Sequence, residues 1–118
     1  MTTMAVNGSH FPYMPLFVDD WLTSEAVDAF TLEQRAAYLQ LLLRQWKAPD
    51  GVLPTDEREL ARMSGLGRRW QKLGRPIIAR CFVKRGDRYV NPRCRAEWEH
   101  ARTRSKQAAA AARARWEQ

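Results

Sequence analysis

Glycine and proline divide the middle of this chain into short elements. The stretch from Ala48 to Pro92 contains five of the six glycines and four of the six prolines. Glycine favours turns, and proline removes a backbone donor and interrupts helix interiors and central strands. A chain of 118 residues also has room for only one compact domain. We therefore expect one small domain whose central part consists of short helices and strands.

The longest helical pattern precedes these breakers. Thr31-Leu32-Glu33-Gln34 has the form of a capping box, in which Thr31 and Gln34 satisfy each other's backbone donors. Apolar residues then recur at helical spacing, which predicts that they face the core. They are Leu32, Ala36, Leu39, Leu42 or Leu43, and Trp46. A helix is expected from Thr31 to about Lys47, where Ala48-Pro49-Asp50-Gly51 ends it.

Shorter elements are predicted on both sides of this helix. Residues 11–18 contain two prolines and are expected to lie extended across the core, followed by one or two helical turns up to about Phe30. Beyond the helix, Val52-Leu53-Pro54 allows a short extended piece. Thr55 is expected to cap a second helix that Ser64-Gly65 ends.

A third, basic helix is predicted to begin near Gly67. At about 100° per residue, four apolar residues fall on one stripe that should be buried. They are Leu66, Trp70, Leu73 and Ile77. Gly74 and Pro76 lie inside this helix and predict a kink or a break there.

A hairpin and a last helix complete the pattern. Cys81–Lys84 and Arg88–Asn91 are rich in strand-forming residues, with Arg85-Gly86-Asp87 as a three-residue loop between them. From Pro92 to the end the chain favours helix. The order of these elements predicts a mainly α fold with a small β-hairpin, a winged helix-turn-helix plus a C-terminal helix. We expect a flexible segment 1–10, a winged-helix domain 11–98 and a basic, alanine-rich helix or tail 99–118.

Charge is distributed very unevenly along the chain. Residues 1–57 hold 3 basic and 8 acidic side chains, a net charge of −5. Residues 58–95 hold 12 basic and 2 acidic side chains, a net charge of +10, and residues 96–118 hold 5 and 3, a net charge of +2. A central segment with so large a positive excess predicts a polyanionic partner, and nucleic acid is the most common one.

The candidate nucleic-acid contacts lie on the third helix and on the hairpin. They are Arg68, Arg69, Gln71, Lys72 and Arg75 on the helix, and Lys84, Arg85 and Arg88 on the hairpin. Arg68 and Gln71 have the chemistry to contact guanine and adenine edges, whereas Lys72 and Arg75 suit phosphate. Two other interpretations stay open, because exposed helices often carry solvated charge and because charge protects hairpin edges from aggregation.

The five tryptophans fall into two groups. Trp21, Trp46 and Trp70 are expected in the core, with stacking on single-stranded bases as the alternative. One face of the last helix is apolar and is a candidate oligomer or partner surface. It comprises Trp98, Ala101, Ser105, Ala109, Ala112 and Trp116. Trp98 is expected to pack back on the domain while Trp116 contacts a partner or a second copy in a homodimer. The alternative is a frayed, partly helical tail.

The sequence contains little that indicates catalysis, a metal, a cofactor or a membrane. Asp19 and Asp20 are adjacent and point apart, and no nucleophile–base set or glycine-rich phosphate loop is present. Cys81 and Cys94 lack metal-ligand spacing and are expected to be reduced and at least half-buried. No apolar run reaches membrane-spanning length, and no secretory signal precedes residue 11. We expect a cytoplasmic protein that is not an enzyme.

A series of short motifs runs in a fixed order between residues 11 and 98. They are Phe11-Pro12-Tyr13-Met14-Pro15-Leu16, Asp20-Trp21-Leu22, Thr31-x-x-Gln34, Ala37-Tyr38-Leu39-x-Leu41-Leu42, Trp46, Gly51-Val52-Leu53-Pro54, Leu60-Ala61-x-Met63-x-Gly65, Trp70, Pro76 and Asn91-Pro92-Arg93. In order and spacing these motifs resemble the YdaU-like family of phage and prophage proteins. The resemblance implies a winged-helix fold and a place in phage replication proteins that resemble replisome organisers. The chain departs from the family at Gln34, usually acidic, and at Ala36, usually glycine.

Charge, element order and resemblance together predict a function. We expect a phage-type protein that binds duplex DNA in replication initiation, inside the bacterial host cell. One alternative is an adaptor whose winged helix docks a replisome protein or a host factor. Another is a transcriptional repressor, which has the same DNA chemistry and differs only in where its site lies.

Overall fold

The computed structural model describes residues 11–117, and the predicted flexible segment 1–10 lies outside this range. The described part is mainly helical, with a small antiparallel sheet. Its elements are α1 (Val18–Leu22), α2 (Glu25–Ala29), α3 (Leu32–Lys47), β1 (Leu53–Pro54), α4 (Glu57–Ser64), α5 (Arg75–Cys81), β2 (Val83–Arg85), β3 (Arg88–Val90) and α6 (Pro92–Glu117). A short 3₁₀ turn and a π-helical turn join α4 to α5.

Helix α3 begins as predicted, and the predicted burial is correct for Leu42 and Trp46 but not for the first turns. The Thr31 hydroxyl accepts a hydrogen bond from the Gln34 amide at 3.1 Å, and the Gln34 side chain accepts one from the Thr31 amide at 2.9 Å. The capping box is therefore confirmed. Leu32 is 78 % exposed and Ala36 is exposed too, so their predicted core positions are wrong. The buried residues of α3 are Gln34, Ala37, Leu41, Leu42, Gln45 and Trp46.

Two glutamines lie in the core because they bind backbone groups of distant segments. Gln45, 0 % exposed, donates to the Asn91 carbonyl at 3.2 Å and accepts from the Asn91 amide at 2.9 Å. Gln34 donates to the carbonyl of Leu73 at 3.0 Å. A buried polar side chain is tolerated when its hydrogen bonds are made. These two glutamines thus connect α3 to the end of β3 and to the turn before α5.

Asn91 extends this polar network to three further groups. Its side-chain amide donates to the Cys81 carbonyl at 2.8 Å and to the Tyr38 hydroxyl at 3.1 Å. Its side-chain oxygen accepts from the amide of Cys94 at 3.0 Å, close to the start of α6. One buried side chain therefore ties α3, α5 and α6 together.

The sheet has one more strand than the sequence predicted. β3 lies in the middle and pairs antiparallel with both β1 and β2. Arg85 pairs directly with Arg88, so the hairpin loop contains two residues and not three. Gly86 in this loop has φ +61°, a conformation that favours glycine. Cys81 ends α5 and does not begin the first hairpin strand.

Helix α4 ends as predicted but begins with another cap. The Asp56 carboxylate accepts from the Arg58 amide at 3.0 Å, so Asp56 is the N-cap and the prediction of Thr55 is wrong. The Thr55 hydroxyl instead donates to the Asp87 carbonyl of the hairpin loop at 3.3 Å. Gly65 ends α4 in the left-handed region with φ 81°, as expected for a glycine stop.

The predicted third helix is broken into three pieces. A 3₁₀ turn (Gly67–Arg69) and a π-helical turn (Trp70–Gly74) precede α5. Gly74 lies against the Trp70 indole, and a Cβ atom built on Gly74 would lie 2.1 Å from Cε3 of Trp70. The predicted break near Gly74 and Pro76 is confirmed. On the predicted stripe Leu66, Trp70 and Ile77 are buried and Leu73 is partly buried.

The predicted core tryptophans lie in or against the core. Trp46 and Trp70 are buried, and Trp46 donates from its indole to the Phe11 carbonyl at 3.2 Å. Trp21 is half-buried, and its ring stacks on Tyr38 with 5.3 Å between the ring centroids. Burial leaves little of the ring faces of Trp46 and Trp70 for stacking on bases.

Helix α6 crosses the predicted boundary between residues 98 and 99 without a break. Its first three turns bury Cys94, Trp98 and Ala101, whereas the rest of the helix projects beyond the domain. The molecule measures 59 × 32 × 30 Å, and the projecting helix is consistent with the longest of these dimensions. Both cysteines are free, and burial raises the pKa of Cys94 to about 12. From residue 99 to Glu117 the chain is helical.

Candidate nucleic-acid interface

All eight predicted contact residues lie at the surface. Five stand on the broken helical segment between α4 and the end of α5, and three stand on the β2–β3 hairpin. The exposed residues are Arg68, Arg69, Gln71, Lys72, Arg75, Lys84, Arg85 and Arg88. The structure differs from the prediction in the partners that some of these side chains have.

Arg75 is bound to a carboxylate that comes from α4. Its guanidinium donates two hydrogen bonds to Glu57, at 2.6 Å to Oε1 and 2.9 Å to Oε2. The Trp70 indole also donates to Glu57 Oε1, at 3.0 Å. Such bidentate, charge-assisted geometry is the strongest common form of surface ion pair. Arg75 is therefore already engaged, and a phosphate would have to replace Glu57 to bind it.

Arg69 and Arg88 also have acidic neighbours. Arg69 forms an ion pair with Glu33 at the start of α3, which directs it towards α3. Arg88 has Asp87 Oδ2 at 3.6 Å, a looser contact within the hairpin. Both pairs are exposed and therefore weak. These two arginines nevertheless carry less uncompensated charge than the other predicted contacts.

Five exposed cations in the 3₁₀ and π-helical turns, in β2 and in the first turn of α4 form no ion pair with any residue in the range 11–117. Four of them were predicted, and Arg58 on α4 was not. They are Arg58, Arg68, Lys72, Lys84 and Arg85. We call these five residues the free basic set. Arg58 had no signal of its own in the sequence beyond its place in the segment with net charge +10.

Two shallow grooves that share Glu57 and Trp70 lie beside three members of this set, Arg58, Arg68 and Lys84. Arg58, Arg68 and Gln71 line one groove together with Glu57 and Trp70. The other groove runs between α5 and the hairpin and has Arg75 and Lys84 on its rim, above apolar residues. Its apolar lining includes Leu60, Trp70, Ile78, Phe82 and Tyr89. The broken helix and the hairpin therefore border one continuous surface.

Glu57 makes the stability of the fold depend on pH in the acid range. The hydrogen bonds from Arg75, and then from Trp70, lower the pKa of Glu57 from 4.5 to about 2. A carboxylate with a depressed pKa stabilises the fold above its unfolded pKa, and this contribution is lost as the pH falls from about 4.5 to about 2. We expect Glu57→Gln to remove this part of the acid sensitivity, measured by urea unfolding at a series of pH values.

The control for this prediction is Glu25→Gln. Glu25 is an exposed carboxylate on α2 that makes no ion pair within the described range. The control should keep the acid sensitivity of the wild type. Identical pH dependence of unfolding in Glu57→Gln and wild type would contradict the role assigned to Glu57.

The side chains of this surface are mainly hydrogen-bond donors. Guanidinium and ammonium groups have donors and no acceptor, which suits phosphate oxygens, and Gln71 adds an amide with one donor and one acceptor group. Within residues 11–117, no group of three or more histidine, cysteine or carboxylate side chains is placed to hold a metal ion. No helix in that range is long and apolar enough to cross a membrane.

Comparison with known proteins gives one result. No curated protein matches the sequence, and no solved structure matches the fold. Residues 12–99 match a family model described as a protein of unknown function, DUF1376. This range covers well over half of the 118 residues and includes every element from α1 to β3. The chain therefore belongs to DUF1376, a family of proteins of unknown function.

Proposed function

We propose that this protein is a winged-helix protein that binds duplex DNA. In this proposal α4, the turn at Gly65 and the broken segment 67–81 form the helix-turn-helix, and the β2–β3 hairpin is the wing. The observation that carries the proposal is the free basic set: five exposed cations have no carboxylate partner, and Arg58, Arg68 and Lys84 among them line two adjoining grooves. Exposed charge of one sign that is not neutralised within the protein attracts a polyanion.

The broken segment is proposed to approach the major groove through its first two turns. Arg68, Gln71 and Lys72 are exposed there, ahead of the break at Gly74. The major groove is about 12 Å wide and admits one helix, and arginine and glutamine are the side chains that contact guanine and adenine edges there. Lys72 is assigned to phosphate, because ammonium groups bind it as point charges.

The hairpin and α4 are proposed to bind the phosphates on either side. Lys84 and Arg85 extend from β2, and Arg58 extends from the first turn of α4. Contacts of this kind fix the position of a protein on the duplex and contribute most of its salt-dependent affinity. Arg75 would join them only by exchanging Glu57 for a phosphate.

The biological setting is proposed from the resemblance alone. Similarity to the YdaU-like proteins suggests a phage or prophage origin and a role in initiating replication. A transcriptional repressor would use the same surface in the same way, so the genes beside the coding sequence distinguish the two. A neighbouring helicase-loader or replicase gene would favour replication.

An adaptor that docks a protein partner is the second candidate. It is favoured by the acidic first turn of α4, where Asp56, Glu57 and Glu59 lie beside the free basic set. The first helix of a helix-turn-helix crosses the phosphate backbone, and carboxylates at that point would be repelled by it. A protein partner with mixed charge would tolerate both signs.

A gel mobility-shift titration at low salt distinguishes DNA binding from the adaptor. The probes are a labelled duplex and either of its single strands, and the titrant is the whole chain. We expect the duplex to shift at sub-micromolar protein and to be preferred over the single strands. No shift of any probe at micromolar protein would contradict DNA binding and favour the adaptor.

A further inference from the structure

The N-terminal part of the molecule presents an apolar surface that DNA binding does not use. Residues 13–22 expose several large apolar side chains, and patches of this kind commonly mark protein interaction sites. The exposed residues are Tyr13, Leu16, Phe17, Val18 and Leu22, of which Tyr13 is the most exposed at 83 %. Beside them opens a cleft of about 240 Å³ lined mostly by apolar side chains. Apolar side chains that include Met14, Leu16, Phe17 and Trp21 bound the cleft, and its charged lining residues are Asp20, Arg93 and Glu97.

This surface is also acidic. Residues 11–34 contain five carboxylates and no lysine or arginine, and the cations beside them include Arg93, which lines the cleft, and Arg35, which donates to the carbonyls of Val27 and Asp28. Asp20 is paired with Arg93 at 3.0 Å and Glu33 with Arg69. The other three, Asp19, Glu25 and Asp28, form no ion pair with a residue between 11 and 117. An occupant of the cleft should therefore be apolar at its tip and basic around it.

The far end of α6 has that chemistry. Trp116 is 90 % exposed and is the most exposed large apolar side chain in the described part of the protein. Residues 102–117 carry five basic side chains and one carboxylate, with Arg113 and Arg115 directly beside Trp116. Ser105, Ala109 and Ala112 continue the face of Trp116 towards the domain. Their small side chains leave room for another helix to approach.

We infer that Trp116 of one chain binds in the N-terminal cleft of a second copy of this chain. Arg113 and Arg115 would then lie among the unpaired carboxylates of α1 and α2. Opposite charge around an apolar anchor is the usual arrangement in which charge sets the orientation and the buried aromatic group provides affinity.

The cleft of the same chain is beyond the reach of Trp116. Glu97 lines the cleft and lies 19 residues before Trp116 on the same continuous helix. At 1.5 Å per residue the two positions are about 28 Å apart. The helix would have to break and fold back for an intramolecular contact, so a second chain is the occupant that the geometry allows.

Direct pairing of two tails is disfavoured by their charge. Two copies of segment 102–117 placed side by side would bring ten basic side chains against two carboxylates. An antiparallel pair of whole α6 helices avoids this, because Arg113 and Arg115 then lie near Glu97 and Glu99 of the other copy. Each tail also reaches the other copy's cleft, which gives a closed two-fold dimer.

Only part of the partner face that was predicted from the sequence is available to a second copy. Trp98 and Ala101 are buried within their own domain and are not available to a partner. Ser105, Ala109, Ala112 and Trp116 stay on the surface and would form the contact. The cleft was not identified from the sequence, because its walls come from residues 14–42 and 91–97.

Sedimentation velocity of the whole chain over a range of concentrations tests this inference. The wild type should reach twice the chain mass of 13.7 kDa, and the dimer should weaken at high salt. Trp116→Ala removes the anchor, Leu16→Arg places a cation at the cleft, and both should be monomeric. Leu32→Arg is the control, since it adds the same charge at an exposed leucine outside the cleft.

Mixing the two defective variants gives the sharper result. Trp116→Ala keeps an intact cleft and Leu16→Arg keeps an intact tail, so an equimolar mixture should recover association through one contact. If Leu16→Arg stays dimeric while Trp116→Ala does not, the tails pair with each other and the inference is wrong. A monomeric wild type would also overturn it and would leave the cleft to a partner of another sequence.

Discussion

Replacing Trp98 by alanine is expected to destabilise the protein by about 3–5 kcal/mol. The Trp98 side chain is 2 % exposed and lies so close to Gly51 that a Cβ atom there would come within 2.7 Å of the indole ring. Phe11 meets the ring edge-on at 6.1 Å, and the Arg95 guanidinium lies 4.9 Å from its centroid. Removing the ring leaves a cavity where α6 meets the domain, and urea unfolding should report the loss.

Trp98→Phe is the matched control for this prediction. The indole nitrogen of Trp98 is buried and makes no hydrogen bond with any described residue, so phenylalanine forfeits packing but no hydrogen bond. We expect the phenylalanine variant to lose less than half of the free energy of unfolding that the alanine variant loses. Equal losses in the two variants would contradict packing of the ring as the source of the stability. A loss in Trp98→Ala well below about 3 kcal/mol, the lower end for a buried aromatic deletion, would contradict the anchoring of α6 by this residue.

Replacing Gln45 by leucine should destabilise the protein by roughly 1–3 kcal/mol, although it makes the core more apolar. The Gln45 side chain satisfies both backbone groups of Asn91, at 2.9 and 3.2 Å. Leucine leaves the Asn91 amide buried without a partner, whereas the Asn91 carbonyl still accepts from the Arg95 amide at 2.9 Å. One unsatisfied buried group costs about 1–3 kcal/mol. Chemical denaturation followed by circular dichroism measures the effect.

Gln40→Leu provides the comparison on the same helix. Gln40 is exposed, so the same substitution there should change the free energy of unfolding by no more than about 0.5 kcal/mol. If Gln45→Leu were as stable as Gln40→Leu, the hydrogen bonds between α3 and Asn91 would not be important for the fold.

Elements whose signals are local in sequence could be predicted. The capping box at Thr31 and Gln34 needs only four consecutive residues, and it formed as expected. Gly65 ends α4 because it adopts a left-handed backbone conformation that favours glycine. The break around Gly74 followed in the same way from glycine and proline chemistry.

Features that depend on distant residues could not be predicted. Periodicity placed Leu32 in the core and gave no reason to bury Gln45, whose place depends on Asn91, 46 residues later. Thr55 and Asp56 are both good caps, and the hydrogen bond from Thr55 to the hairpin loop decides between them. β1 has only two residues, and its pairing with β3 leaves no pattern in the sequence.

The same distinction between local signals and distant contacts applies to the candidate site. The helical period predicts that Arg68, Lys72 and Arg75 are exposed, and all three are exposed in the structure. Whether a basic side chain is neutralised depends on carboxylates that are distant in sequence. Glu57 lies 18 residues before Arg75, and Glu33 lies 36 residues before Arg69. Those contacts moved Arg69 and Arg75 out of the set of free cations and left Arg58 in it.

The salt dependence of duplex binding tests the central claim most directly. If the five cations of the free basic set each neutralise one phosphate, log affinity should fall with log salt concentration at a slope of about −4 to −5. Arg68→Ala and Lys72→Ala should each flatten the slope by about 1, and by about 2 together. The control Arg44→Ala removes an exposed cation of α3 outside this set and should leave the slope unchanged. A slope near zero for the wild type, or an unchanged slope in the double variant, would contradict DNA binding by this surface.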